Sequence, residues 1–172
     1  MATTRDVLLF GLNHHNYQFP DTEVFIYASQ EERNELRHSL LKAISERGVR
    51  GIAEEMSLEA LEKRSISGGS TVSRFARQVG LPYRDCDRRP RESNEQREQT
   101  WIDELSAFGT FPVLFVLGAS HIESFEGLLS KSGFQPFVIV RDWKGVQSAK
   151  RCHLTNRWSQ PRTVRMFRCL PS

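Results

Sequence analysis

Two four-residue segments, Gly11-Leu12-Asn13-His14 and Gly118-Ala119-Ser120-His121, repeat the pattern Gly-x-x-His, and each follows an apolar run. An imidazole changes charge near neutral pH and can act as a base or a metal ligand. The polar residues that follow two further apolar segments add acids: Glu54 and Glu55 after the second, Asp85 and Asp87 after the third. Unpaired buried charges are too costly to scatter through a core, so acids and imidazoles at the ends of apolar strands point to one polar pocket.

The elements that must position these groups alternate between apolar runs and helical patterns. This is the signature of βαβ units, and it predicts a single α/β domain with a mainly parallel sheet flanked by helices. The expected strands are Val7 to Phe10, Val49 to about Ala53, a segment opened by Leu81-Pro82-Tyr83, residues 111 to 117, and Phe137 to Val140. Ser29-x-x-Glu32 reads as a capping box ahead of a helix with Leu36, Leu40, Leu41 and Ile44 inward, and Gly48 closes it. Ser57, Ser70 and a residue near Ser93 are the expected caps of the next three helices, and Ile122, Phe125, Leu128 and Leu129 mark the last. The core spans 7–143, and the basic segment 150–172 is expected as an antiparallel hairpin at the edge of the sheet. In a parallel sheet all these polar ends lie at the carboxyl edge, where open α/β folds place ligands. The glycine of each pattern permits a tight turn or a close backbone approach there.

A chain of 172 residues buries about 70% of its unfolded surface and needs no disulfide or metal merely to fold. Cys86, Cys152 and Cys169 have no C-x-x-C spacing, so they read as reduced thiols rather than a disulfide framework or a structural zinc site. The N-terminus enters the first strand without an apolar leader, and the run from 111 to 117 is far too short to span a membrane. A cytoplasmic protein with no membrane contact is the expectation. Charge is uneven: from residue 141 to the end there are eight basic residues against one acid. Segment 141–172, with Trp143 and Trp158 among its cations, suits phosphate or nucleic acid, or an acidic partner; a solvated edge is the bland alternative.

Two imidazoles and one to three carboxylates can hold a divalent ion such as zinc, manganese or cobalt. The set is His14 or His15, Glu54 or Glu55, and His121, with Asp85 and Asp87 in support. Such an ion lowers the pKa of bound water toward ~7. Without a metal, a carboxylate can orient one histidine as general base for water. Arg88, Arg89, Arg91 and Arg97 lie just beyond the third strand, and a guanidinium there could clamp an anion or stabilise an oxyanion. Ser67 and Ser70 lack the strand-to-helix elbow of a serine nucleophile. Cys86 sits between two acids that disfavour its thiolate.

The order Gly-x-x-His, Glu-Glu, an Asp-containing segment followed by Arg97-Glu98-x-x-Trp101, and a final Gly-x-x-His resembles the Tiki/TraB superfamily, which also takes in erythromycin-esterase-like and ChaN-like proteins. The similarity covers about residues 7 to 143. It implies an α/β core with two histidines and a glutamate at the site, in members that are metal-dependent proteases, water-activating esterases or haem-binding proteins. Carried onto this chain, it selects His121, one of Glu54 and Glu55, Arg97 from the Arg-x-x-x-Trp pattern, and His14, or His15 if the segment is read as His15-Asn16-Tyr17-Gln18. The expected function is a hydrolase that activates water with a divalent metal or a His/Glu pair to cleave an ester or amide in a small molecule or peptide. The alternatives are a non-catalytic binding module acting through the basic C-terminal segment and a haem-binding relative.

Overall fold

The computed structural model describes residues 4–13, 17–20, 28–87 and 93–145. His14, His15 and the segment 150–172, expected as a hairpin, lie outside the described residues, as do Arg88, Arg89, Arg91, Cys152 and Cys169.

Five strands form one wholly parallel sheet: β1 Asp6–Leu12, β2 Gly51–Glu54, β3 Tyr83–Asp85, β4 Val113–Gly118 and β5 Gln135–Trp143, in the order β3-β2-β4-β1-β5. The inner strands β1 and β4 carry near-continuous apolar runs because both faces are covered. All six residues of β4, in the middle of the sheet, are buried. Helices α1 Gln30–Arg47, α2 Leu58–Glu62, α3 Thr71–Val79, α4 Asn94–Phe108 and α5 Ile122–Lys131 connect them.

Helix starts follow the expected capping. Ser29 and Glu32 form a reciprocal capping box, with Glu32 N–H on Ser29 Oγ at 3.2 Å and Ser29 N–H on Glu32 Oε2 at 2.8 Å. Ser57, Ser70 and Ser93 cap α2, α3 and α4. Gly48, at φ 61°, ends α1 in the left-handed conformation that glycine adopts without strain. The buried stripe of α1 is Leu36, Leu40 and Ala43, spaced i, i+4, i+7; Leu41, expected inward, falls outside that stripe and is exposed, and Ile44 at its margin is half-buried against the core.

The period of two along each strand sorts side chains between two cores. Leu8, Phe10, Ile52, Leu114 and Val116 meet Leu36 and Leu40 of α1 and Val72 and Phe75 of α3 on one face. Val7, Leu9, Ala53, Phe115 and Leu117 meet Trp101 and Leu105 of α4 and Phe125 and Leu129 of α5 on the other. Connections toward β3 therefore cross one face, and those back toward β5 cross the other, as right-handed crossovers require. The chain leaving β4 turns to the α4/α5 face, while its neighbours β1 and β2 lead to the opposite one. This divergence opens a crevice at the carboxyl edge.

Gly11 has its own reason. A Cβ there would lie 2.1 Å from the Arg141 carbonyl oxygen, where the register between β1 and β5 slips. Only glycine lets the two backbones approach so closely.

Candidate active site

Glu54 and Glu55 are consecutive, so the strand that delivers them sends their side chains to opposite faces. Glu54 joins the α3 side. Its Oε1 accepts from Gln18 Nε2 at 3.0 Å, and its Oε2 accepts from Ser70 Oγ at 2.5 Å and Tyr83 Oη at 2.7 Å. The carboxylate is fully buried, and these donors replace its water. Tyr83 keeps its proton well above the usual phenol range, first because burial disfavours the phenolate and then because Glu54 is beside it.

Glu55 enters a second network on the α4/α5 side. Its backbone N–H bonds the Val116 carbonyl at 2.9 Å, and its Oε2 accepts the Gly118 N–H at 2.7 Å, which anchors it to the end of β4. Its Oε1 contacts Arg97 Nη2. Arg97 is also held by Asp87, with Nε on Oδ1 at 3.0 Å and Nη2 on Oδ2 at 3.0 Å. The parallel two-point geometry is the strong form of an arginine–carboxylate pair. Asp87 is placed for it by its backbone N–H on the Met56 carbonyl, at 3.1 Å.

His121 ends a single 3₁₀ turn, Ala119–His121, between β4 and α5. Its Nδ1–H donates to Glu98 Oε1 at 2.8 Å, and Ser124 Oγ donates to the same oxygen at 2.6 Å. A carboxylate only accepts, so the proton of a neutral ring sits on Nδ1 and Nε2 carries the lone pair. Arg97 Nη1 lies 3.4 Å from Nε2, and Glu55 Oε1 lies 3.7 Å from it. The ring rests edge-on against Trp101, with centroids 5.2 Å apart, and the Arg97 guanidinium lies 5.1 Å from the Trp101 ring centroid. The Arg-x-x-x-Trp spacing thus has a physical meaning: one helical turn stacks the guanidinium on the indole beside the histidine.

Arg97, Glu55, Asp87 and His121, all expected from the sequence, therefore meet. Glu54 belongs to a separate network, and Asp85, half-buried, pairs in register with Glu54 at the end of β3 and lines a pocket on that side. Glu98 and Gly118 stand within the sequence motifs, but no role was expected there for the Glu98 carboxylate, the Gly118 N–H or Ser124. A signal existed for Glu98: it stands on the i, i+3, i+4, i+7 stripe with Trp101, Ile102 and Leu105, where an acid can be buried only with a partner.

The described residues do not by themselves fit a divalent metal. Glu55, Asp87 and His121 converge on the Arg97 guanidinium, which already supplies the positive charge. Among the described residues no group of three or more His, Cys, Asp or Glu side chains is arranged to hold a metal ion. Nor is any helix among them long and apolar enough to cross a membrane. Within the basic segment from 141 onward, the described Arg141 and Lys144 each face an acid, Glu126 at 3.6 Å and Asp142 at 3.1 Å. Comparison with protein-family models, with curated proteins and with solved structures found no match.

Proposed function

We propose that the chain is a hydrolase of the Tiki/TraB and erythromycin-esterase-like type, with His121 as the base that activates water and Glu98 as the group that orients it. The observation that carries this reading is the position of the His121 ring. Nδ1 is fixed on Glu98, and Nε2 is turned toward a guanidinium at the carboxyl edge of the sheet. Both the His121 and Arg97 side chains retain 11% exposure, enough for water to reach them.

In the reaction, Nε2 takes a proton from a water molecule as its oxygen bonds the acyl carbon of an ester or amide. Glu98 at Nδ1 and Glu55 near Nε2 stabilise the resulting imidazolium, and Arg97 faces the charge that develops on the acyl oxygen. Collapse of the intermediate breaks the bond to the alcohol or amine, which leaves with the proton from Nε2. Asp87 and Trp101 are positioning residues that hold the guanidinium.

A panel of carboxylic esters and peptide amides, assayed with excess chelator, tests the reading. Hydrolysis should persist in chelator and fall about 10²- to 10⁴-fold in His121→Ala. No hydrolysis by the native chain, or an undiminished rate in the variant, overturns it.

A further inference from the structure

On the face of the sheet opposite Trp101 and His121, α1 and α3 pack side by side on one core through Leu36, Leu40 and Phe75. Above this contact lies an open groove of about 430 Å³. A helix brings residues four apart to the same side, so Arg33 and Arg37 line the groove from α1, and Arg74 lines it from α3. Three guanidiniums are thus gathered around one groove although like charges repel.

Arg74 is fixed in place without being neutralised. Its Nε donates to the Gly69 carbonyl at 3.1 Å, and its Nη2 donates to the Ser67 carbonyl at 2.6 Å. Carbonyl oxygens orient a guanidinium but carry no net charge, so the cation keeps its charge and its Nη1 hydrogens for a ligand. The turn that presents these carbonyls contains Gly68 and Gly69 at φ 80° and 89°, where a side chain would be strained. Across the groove Arg37 is exposed, and among the described residues no carboxylate pairs with it or with Arg74. Arg33 has contacts of its own, one of them Nη1 on Thr71 Oγ1 at 3.3 Å, so it adds charge to the groove while Arg37 and Arg74 supply the donors.

We infer that this groove binds the phosphate group of a small phosphate monoester, held between Arg74 of α3 and Arg37 of α1. At neutral pH a phosphate monoester presents three oxygens and close to two negative charges, enough for a guanidinium fork from each helix. A lone carboxylate has two oxygens and one charge, and it satisfies one fork. The groove lies on the other side of the sheet from His121, so it is a second site and does not rest on the hydrolase reading.

NMR titration of the full chain at about pH 7.5 and constant ionic strength, with methyl phosphate, dimethyl phosphate and acetate as probes, tests the assignment. Methyl phosphate should bind about tenfold or more tightly than either singly charged probe. Arg37→Gln, which leaves the contacts of Arg74 in place, and Arg74→Gln should each weaken methyl phosphate about five- to tenfold. Lys42→Gln removes another exposed cation of α1, one that pairs with Glu46 and does not line the groove, and it should change the affinity less than about twofold. Acetate binding as tightly as methyl phosphate overturns the assignment, as does affinity indifferent to both arginine substitutions. Dimethyl phosphate binding as tightly as the monoester replaces it with a phosphodiester, the group of a nucleic-acid backbone. Equal weakening by Lys42→Gln reduces the site to diffuse surface charge and overturns it as well.

Discussion

Arg97 and Asp87 meet at two points, Nε on Oδ1 and Nη2 on Oδ2, both at 3.0 Å, and this pair holds a guanidinium against Glu55 and beside His121. Arg97 comes from the first turns of α4, and Asp87 from just beyond β3. Their pairing thus closes the helix onto the strand end and supplies the only guanidinium among the described residues that touches the histidine.

Replacing Arg97 by Gln should be strongly destabilising. It leaves Glu55, which is fully buried, and Asp87, which is nearly so, without their common cation. Breaking a buried pair in this way costs about 3–5 kcal/mol. Arg97→Lys should cost less but still lose the two-point geometry. Urea unfolding of the two variants beside the native chain measures both, and near-native stability of Arg97→Gln would contradict the described network.

Glu98→Gln tests positioning. The substitution keeps the shape of the side chain but removes the charge that fixes the proton on Nδ1 and stabilises the imidazolium. On an ester that the native chain cleaves, kcat should fall about 10²- to 10³-fold with KM nearly unchanged. A purely structural role would lower thermal stability and leave kcat per folded molecule intact.

Tyr83 predicts alkaline sensitivity. Its folded-state pKa is raised, first by burial and then by Glu54. The folded chain therefore keeps a proton that the unfolded phenol releases. Stability from this group is complete below about pH 10 and declines above it, at a limiting slope of about 1.4 kcal/mol per pH unit. Urea unfolding from pH 8 to 11.5 should show a shallower decline in Tyr83→Phe than in the native chain.

Cys86 should be inert while the chain is folded. It is fully buried and unpaired with any other cysteine, and burial, with Glu104 and Asp85 nearby, raises its thiol pKa. With Cys152 and Cys169 changed to serine, iodoacetamide at pH 8 should label Cys86 at least about 100-fold more slowly in buffer than in urea, since labelling then requires opening of the structure. Mass spectrometry of the labelled chain would reveal rapid folded-state reaction if the thiol were accessible.

Local chemistry was legible along the chain. Ser29, Ser57, Ser70 and Ser93 each cap the helix that their spacing announces, because a cap depends on atoms within four residues. The parallel order of strands and helices was equally readable, and β5 differs mainly in length, Gln135–Trp143 rather than 137 to 140, since edge pairing with β1 continues past its apolar centre. The same pattern places Glu55, Asp87 and His121 at the carboxyl edge together with Glu54 and Asp85, which lie on the other side, while Arg97 is selected by the Arg-x-x-x-Trp spacing instead.

By itself, then, the sequence determined the elements, their caps and the edge of the sheet at which the polar groups gather. Only the tertiary structure decided which groups meet. Glu54 and Glu55 are indistinguishable as neighbours in the chain, but the alternation of β2 sends one toward α3 and the other toward α4. Which partner waits on each face depends on crossovers that bring residues 16 to 63 positions apart into hydrogen-bond contact. Glu98 shows the same limit: its place on an apolar stripe marks it as buried, and only the packing of α4 against the β4–α5 turn makes its partner His121.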